Sequence, residues 1–395
     1  MMHFPPIYPI TDARLAMPLA EQVRHLGVLG FPLVQFRGKP LDAREQWLQL
    51  RQALLESADN GGWPLIVVND RSDLAVLAAQ EGFAPWGLHL GQDDLPPSEA
   101  RRLPGLEGLH IGTSTHDEAE WQRVDPACDH AGCGPFRGTA TKGDHAEPMG
   151  LEGLRIGCGL LRARDVAPIA IGGLTLGDAR DCFEAGAESL AMVGEIWSAP
   201  DPAELLWEAQ CLRWRQRPAV HAGRGVLIVG GSGGGKSTLA KALAPSLGLP
   251  LVDLDDLIEE RTGTSIPDIF AYAGETGFRD LETRHMAEAL RTPCVLCLGA
   301  GAWQREENRV QALASGFACL WLAESPHKAW DRVAGDPHRP LAQERATFMA
   351  RWRSRIAAWS RLPMVLPLGR GPEELVEAML GHTGPLNGGL VSMNR

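Results

Sequence analysis

Residues 230–237 carry a complete phosphate-binding motif. They spell Gly-Gly-Ser-Gly-Gly-Gly-Lys-Ser, a full match to G-x-x-x-x-G-K-[ST], with an apolar strand-like run at 225–229 before it and a helix-like run at 238–244 after it. In that setting backbone N–H groups and the helix N-terminus bind phosphate oxygens, a lysine reaches the terminal phosphates and a serine hydroxyl holds Mg²⁺. A flexible glycine linker, the alternative, would not place Gly-Lys-Ser between a strand and a helix. The predicted ligands of ATP are Gly230, Gly233, Gly235, Lys236, Ser237 and Thr238, with Ser237 on the metal.

Composition limits the classes of function. A length of 395 residues predicts two or three domains, and 44% hydrophobic with 22% charged residues is typical of a globular protein. A net charge of −11 argues against nonspecific binding to nucleic acid or to anionic membranes. The first residues show no signal peptide, no apolar run approaches the ~20 residues that span a bilayer, and the cysteines are scattered. A cytoplasmic location is therefore expected. The pair Cys294 and Cys297 lies in an apolar run and is expected to be buried core.

The first half of the chain alternates short apolar strands with helical stretches, which predicts a parallel sheet covered on its faces. Eight such units in about 200 residues favour a closed (β/α)₈ barrel over the alternative, an open doubly wound sheet. The predicted strands are 7–10, 32–36, 65–68, 86–90, 109–112, 130–133, 169–171 and 190–193. We expect the barrel over 1–215, a linker over 216–224, a P-loop domain with a parallel sheet flanked by helices over 225–380, and a loose tail over 381–395.

Charged residues fall where the predicted barrel strands end, which is where barrel enzymes carry their chemistry. Arg37, Lys39 and Lys142 suit a polyanionic phosphate. Asp70 and Asp94 suit Mg²⁺, which prefers carboxylate and phosphate oxygens. Any one of them alone could be a solvated charge or a helix cap, and Asp70 could cap the helix that begins near Ser72. Their common position at strand ends favours a shared site.

Several segments of this half, taken in order, resemble thiamine phosphate synthase. They are Tyr-Pro-Ile-Thr-Asp at 8–12, Gln-x-Arg-x-Lys at 35–39, Asn-Asp at 69–70, His-Leu-Gly-Gln-x-Asp at 89–94, Thr-x-Thr-Lys at 139–142 and Ile-Gly-Gly at 171–173. The resemblance covers residues 5–200. It implies a reaction that joins an aminopyrimidine methyl pyrophosphate to a thiazole phosphate and releases pyrophosphate.

The same resemblance implies a role for each matching residue. The pyrimidine pyrophosphate would be held by Gln35, Arg37, Lys39, Asn69, Ser114 and Lys142, with Asp70 and Asp94 on Mg²⁺. The thiazole phosphate would be held by Thr139, Thr141 and Gly173. Lys142 is also a catalytic candidate.

Two departures from the family pattern accompany the match. Gly194 stands where the family usually has serine, and Phe136-Arg-Gly138 replaces an apolar-aromatic-proline sequence. A related thiazole tautomerase shares the barrel but typically lacks the paired metal carboxylates, so the presence of Asp70 and Asp94 favours the synthase.

The segments downstream of the phosphate-binding motif resemble shikimate kinase over residues 225–370. They are Asp-Leu-Asp at 253–255, Gly-Glu-Thr-Gly-Phe-Arg at 274–279, Gly-Ala-Gly at 299–301, Arg332, Arg-Pro-Leu at 339–341 and Arg-Ile-Ala-Ala-Trp at 355–359. The resemblance implies shikimate binding by Asp255, Arg279, Gly299, Gly301 and Arg355, and a water-mediated metal contact by Asp253. It places Arg332 and Arg339 on a lid over the transferred phosphoryl group. Lys236, Arg339 and Asp255 are the catalytic candidates of this half.

Two further departures from the family pattern leave the identity of the alcohol that is phosphorylated open. Ala300 interrupts the usual triple glycine, and Trp359 stands where tyrosine is usual, so another small-alcohol kinase is an alternative. Arg351 and Arg353 are expected to form an exposed basic helix face. The chain as a whole predicts a bifunctional transferase of small molecules, namely the pyrimidine pyrophosphate, the thiazole phosphate, shikimate and ATP. A fusion with one catalytically silent domain, a regulatory nucleotide sensor and self-association through the barrel remain open.

Overall fold

Eight parallel strands form the first sheet of the structure, a computed structural model that describes residues 3–138, 147–220, 224–335 and 344–381. Their order is β1-β8-β7-β6-β5-β4-β3-β2, and a parallel bridge between Ile10 and Gln35 joins the two edges. The predicted (β/α)₈ barrel is confirmed, and the open sheet is excluded. The strands are β1 (Ile7–Pro9), β2 (Leu33–Phe36), β3 (Leu65–Asn69), β4 (Gly87–Leu90), β5 (His110–Thr115), β6 (His130–Cys133), β7 (Ala167–Ile171) and β8 (Ser189–Met192).

Helices cover the outside of this barrel between the strands. They are α1 (Leu19–Leu29), α2 (Ala43–Asp59), α3 (Ser72–Gln80), α4 (Pro97–Ala100), α5 (Glu118–Gln122), α6 (Gly150–Arg162), α7 (Ala179–Glu184), α8 (Gly194–Ser198) and α9 (Pro202–Gln216).

The barrel interior is filled by side chains, as small barrels require. Phe4, Tyr8 and His130 are buried, and the Phe4 and His130 rings lie 4.9 Å apart between centroids. His130 packs directly on Gly112 of β5, because a Cβ built on Gly112 would lie 2.0 Å from His130 Nε2. Burial holds the pKa of His130 well below its usual range, so its imidazole is neutral.

The second half is built on a five-stranded parallel sheet in the order β10-β11-β9-β12-β13. Its strands are β9 (Val226–Val229), β10 (Leu251–Asp253), β11 (Val295–Cys297), β12 (Ala318–Leu322) and β13 (Met364–Val365). Its helices are α10 (Lys236–Leu247), α11 (Leu254–Thr262), α12 (Ile266–Ala289), α13 (Glu306–Ala314), α14 (Pro326–Val333), α15 (Arg345–Trp359) and α16 (Pro372–Met379). Helix α12 is kinked at Gly274, where φ is 67°. The predicted P-loop domain architecture is confirmed.

The connection between the halves is more closely packed than a loose linker. Helix α9 extends to Gln216, one residue into the predicted linker. Ala219 N donates to Met379 O at 2.9 Å. Val220 is buried. Residues 221–223 and the tail from 382 onward lie outside the described residues.

Within the described residues, no helix is both long and apolar enough to span a bilayer. Cys294 and Cys297 are buried in the core of the second half, as predicted.

The contact between Gly112 and His130 gives a test of the barrel core. Gly112→Ala would force the two strands or the imidazole to shift, and overpacking of this kind destabilises a core by about 1–3 kcal/mol. We expect a lower urea midpoint of unfolding, followed by far-ultraviolet circular dichroism. Gly108→Ala is the matched control, because a Cβ at Gly108 meets nothing within 4 Å. Equal midpoints for the two variants would contradict the packing described here.

Candidate active sites

The first candidate site is a cavity of about 580 Å³ at the carboxyl ends of the barrel strands. Of the predicted site residues, those whose side chains or backbone line it are Gln35, Arg37, Asn69, Ser114 and Gly173. Gln35 is buried and its Nε2 donates to the Tyr8 hydroxyl at 3.2 Å, which fixes its orientation at the base of the cavity. Thr139, Thr141 and Lys142 lie outside the described residues.

Asp70 and Asp94 come together beside this cavity. A Cβ built on Gly91 would lie 3.1 Å from Asp94 Oδ2 and 4.0 Å from Asp70 Oδ1, so the two carboxylates flank one point. Lys39 Nζ lies 2.6 Å from Asp70 Oδ2. Asp70 has a φ of 60°, a left-handed conformation that costs a non-glycine residue energy and is found mainly at functional sites. The N-terminus of α3 has no side-chain cap, so the alternative role of Asp70 as its cap is excluded.

The two carboxylates differ in proton affinity. Burial alone would raise the pKa of Asp70, but the Lys39 ammonium holds it below its usual value. Burial raises the pKa of Asp94, and the negative charge of Asp70 raises it further. Two carboxylates this close repel each other unless a proton or a cation lies between them. This donor set fits Mg²⁺, which is commonly bound by one or two carboxylates together with substrate phosphates.

Several cavity residues were missed from sequence. His89 lines the cavity, and its ring nitrogens lie 3.1 Å from Ser114 Oγ and 3.3 Å from His130 Nε2. It belongs to the His-Leu-Gly-Gln-x-Asp segment, so that segment was the signal. His116 and Glu195 also line the cavity, and Glu195 Oε1 accepts from Leu176 N at 3.2 Å. Glu195 directly follows Gly194, whose missing side chain was noted from sequence.

The second candidate site begins at the phosphate-binding loop between β9 and α10. Gly230, Gly233 and Gly235 all have positive φ, at 157°, 77° and 90°, which lets the backbone curl around an anion. Lys236 Nζ donates to Gly231 O at 2.9 Å, across the mouth of the loop. Ser237 Oγ donates to Asp253 Oδ2 at 3.2 Å, and both groups fit Mg²⁺ and its water ligands. Thr238 follows in the first turn of α10 and is exposed.

Arg332 lies on α14 beside this loop. Its Nη1 donates to Gly233 O at 3.1 Å, and its Nη2 pairs with Glu324 Oε2 at 2.7 Å. The guanidinium therefore borders the space for the nucleotide phosphates. Arg339 lies outside the described residues, so the predicted lid stays a prediction.

A second cavity, of about 190 Å³, opens next to the loop. It brings together the acceptor-binding residues predicted from sequence, Asp255, Arg279, Gly299, Gly301 and Arg355. Ala300 and Trp359 line it as well. A Cβ on Gly301 would lie 2.4 Å from the Arg279 guanidinium, so the absence of a side chain there makes room for Arg279.

Arg351 corrects a sequence prediction. It was expected on an exposed basic face, yet it is half-buried and lines the second cavity. Arg353 is exposed as expected, but its Nη1 donates to Ala58 O of the barrel at 3.3 Å. Arginines at every second position, 351, 353 and 355, do not show from sequence which of them faces solvent, the cavity or the barrel.

Glu282 is a cavity residue that sequence reasoning missed. It is fully buried, and its Oε2 accepts from Arg279 Nη1 at 2.6 Å. Burial raises its pKa to about 7. Burial also raises the pKa of Asp255, to about 6, and the charge of Asp253 adds to the shift. Arg279 also pairs with Glu275 at 2.9 Å, so it already has two carboxylate partners.

Arg355 differs from Arg279 in its ion-pair partners. Among residues 3–138, 147–220, 224–335 and 344–381 it has no hydrogen-bond partner and no carboxylate within ion-pair distance. Burial lowers its pKa, and the guanidinium groups of Arg279 and Arg351 lower it further. A partly buried guanidinium without a partner is costly unless an anion binds it. The cavity therefore has the electrostatics of a carboxylate-binding site with a hydroxyl-binding carboxylate, Asp255, beside it.

Comparison with known proteins finds a family match for each half of the chain. Residues 7–196 match the family model for thiamine monophosphate synthase. The chain is 37% identical over 204 residues to the thiamine-phosphate synthase of Azorhizobium caulinodans, a match that covers 50% of this chain and 90% of that protein. It is 37% identical over 199 residues to the enzyme of Chloroflexus aurantiacus, covering 49% and 86%. The chain belongs to the thiamine-phosphate synthase family.

Residues 232–364 match the family model for shikimate kinase, so the chain joins this family's barrel to a second enzyme fold. Among solved structures, a shikimate kinase from Acinetobacter baumannii in complex with shikimate is 28% identical, with a TM-score of 0.37, and the match covers 40% of this chain and 90% of that one. A thiamine phosphate pyrophosphorylase from Pyrococcus furiosus is also 28% identical, with a TM-score of 0.43 and coverage of 54% and 97%.

The raised pKa of Asp255 predicts an acid limb in the pH profile of phosphoryl transfer. If Asp255 is the base that takes the proton of the acceptor hydroxyl, it has to be ionised, and it gains a proton as the pH falls through about 6. We expect kcat/KM for the acceptor to fall about tenfold per pH unit below that point. Affinity for Mg-ADP, measured by calorimetry over the same range, is the control and should change little. A kcat/KM that stays flat down to pH 5 would contradict the burial of Asp255.

Proposed function

We propose that the barrel joins an aminopyrimidine methyl pyrophosphate to a thiazole phosphate, giving thiamine phosphate and pyrophosphate. The observation that carries this proposal is the Asp70–Asp94 pair beside Lys39, at the mouth of a cavity that contains Arg37. Carboxylates and cations this close together suit a metal-bound pyrophosphate, which needs both a cation ligand set and direct positive charge.

The residues then have distinct tasks. Arg37 and Lys39 offset the charge that develops on the departing pyrophosphate, and bound Mg²⁺ supplies further electrostatic stabilisation there. The aminopyrimidine stabilises the methylene cation left behind. Gly172 and Gly173, at the carboxyl end of β7, have φ of 100° and 62° and line the cavity, where Gly173 would bind the thiazole phosphate. Holding that substrate by its phosphate places its ring nitrogen for attack on the cation.

A thiazole tautomerase is the alternative for the barrel. The Asp70–Asp94 pair favours the synthase, because an isomerisation that releases no pyrophosphate has no use for two metal carboxylates. The family match is also to thiamine-phosphate synthases over most of their length.

For the second half we propose ATP-dependent phosphorylation of shikimate to shikimate 3-phosphate. The observation that carries it is Arg355, a partly buried guanidinium that faces the cavity next to the phosphate-binding loop. A single carboxylate on the acceptor would pair with Arg355, while Asp255 orients its hydroxyls and Lys236 offsets charge on the transferred phosphoryl group. A neutral alcohol, the acceptor of a related small-alcohol kinase, would leave Arg355 unpaired.

Reciprocal variants of the full chain test the two assignments together. Asp94→Asn should reduce thiamine phosphate formation at least tenfold, because the metal loses a charged ligand, and should leave shikimate-dependent ADP release unchanged. Lys236→Ala should abolish ADP release and leave thiamine phosphate formation intact. Both products are measured by liquid chromatography. Unchanged pyrophosphate release by Asp94→Asn would remove the metal assignment, and loss of both activities in either variant would contradict two separate sites.

Arg355→Lys tests the acceptor. Lysine keeps the charge but loses the planar pair of donors that matches a carboxylate, so the KM for shikimate should rise about tenfold or more while the KM for ATP changes little. Arg345→Lys, at the exposed start of the same helix and outside the cavity, is the control. A wild-type chain that ignores shikimate but phosphorylates an uncharged thiazole or pyrimidine alcohol would overturn the acceptor assignment.

A further inference from the structure

Helix α15 lies between the barrel and the second cavity. One side contributes Arg351, Trp352 and Arg355 to the cavity. The other side lies on a barrel turn, where a Cβ on Gly61 would be 3.1 Å from Trp352 Cβ and a Cβ on Gly62 would be 3.1 Å from Ile356 Cγ2. The φ values of these two glycines are 68° and 83°, so both the close approach and the backbone conformation require glycine.

A buried hydrogen bond fixes the C-terminal end of the same helix to the barrel. Trp86 Nε1, from the residue before β4, donates to Ser360 Oγ at 3.0 Å. Ser360 Oγ in turn donates to Ala357 O at 3.0 Å, in the last turn of α15. The Trp86 ring is held on its other side by His110, at 4.2 Å between ring centroids. The barrel therefore fixes the end of α15 through a side chain that is itself immobilised.

Trp352 carries this contact on to the nucleotide site. Its Cβ faces Gly61 of the barrel, while its ring covers Gly231 of the phosphate-binding loop, where a Cβ would lie 2.1 Å from Trp352 Cζ3. One buried side chain thus touches the barrel at its base and the phosphate-binding loop at its ring. Arg355 follows one turn later on the same helix.

We propose that the barrel is a structural part of the kinase site, with Trp86, Gly61 and Gly62 acting as positioning residues for Arg355 and for the phosphate-binding loop. This inference rests on the proposed kinase function. A displacement of about 1 Å in a substrate-positioning group can cost about 10²-fold in rate, so a helix held from outside the kinase fold makes the acceptor site depend on the barrel. The contacts lie at the amino ends of β3 and β4, away from the barrel cavity, so the dependence leaves the barrel reaction untouched.

Trp86→Phe in the full chain tests the proposal. Phenylalanine keeps an aromatic ring on His110 but removes the N–H donor to Ser360. We expect the KM for shikimate to rise about fivefold, the KM for ATP to rise less, and thiamine phosphate formation to stay within twofold of wild type. Amide hydrogen exchange of residues 345–360 should speed up about tenfold, with the barrel strands unchanged. Ser360→Ala should give the same changes, and the double variant should be no worse than either single one.

Trp121→Phe is the matched control. Its indole is buried in the barrel against Gly157, and its Nε1 has no hydrogen-bond partner among the described residues, so it loses the same volume without touching α15. We expect its kinase constants and its exchange at residues 345–360 to equal those of wild type. The proposal is overturned if Trp86→Phe leaves the shikimate KM or the exchange unchanged, or if Trp121→Phe reproduces its effects. If the wild-type chain does not phosphorylate shikimate, the proposed acceptor fails, and the exchange rates alone decide whether the barrel orders α15.

Discussion

Both halves of the molecule depend on one constraint, the shared direction of parallel strands. In a parallel sheet every strand ends at the same edge, so the loops that follow the strands meet there and their polar groups converge. Asp70 follows β3 and Asp94 follows β4, and the two meet beside Gly91 although 24 positions of sequence separate them. The phosphate-binding loop follows β9, and Asp253 ends β10 within reach of Ser237.

The acceptor cavity shows how charge is balanced once such groups converge. Arg279 already pairs with two carboxylates, those of Glu275 and Glu282. Arg355 has no such partner among the described residues. Burial raises the pKa of Asp255 and of Glu282 because ionising either one adds negative charge to a poorly solvated space. Under the proposed function, a carboxylate on the acceptor would pair with Arg355, and affinity for it would depend on that residue more than on a symmetric pair of Arg279 and Arg355.

Local sequence signals predicted most of the fold and much of both sites. Each barrel strand is a short apolar run that can be recognised in the sequence. The phosphate-binding loop can be recognised too, because its positive φ angles require glycine. Glu282 and Arg351 were not recognised, because each lies on a helix whose local pattern fits an exposed face equally well. His130 is a polar residue inside an apolar strand, and only the packing on Gly112 shows that it belongs to the core.

The contact between the halves was the least predictable feature. Gly61 lies in an ordinary turn, Trp86 just before a strand and Ser360 at the end of a helix. Nothing in these segments shows that Gly61 contacts α15 or that Trp86 contacts Ser360, each about 300 positions further along the chain. The contact lies at the opposite end of the barrel from the barrel cavity. The barrel cavity opens at the carboxyl ends of the strands, whereas α15 rests near the amino ends of β3 and β4. Among the described residues, Phe4 and His130 fill the barrel interior between Trp86 at one end and His89 at the other. The described contacts between the halves are therefore packing contacts at α15, and on our proposal their effect is that the barrel supports the helix that carries Arg355.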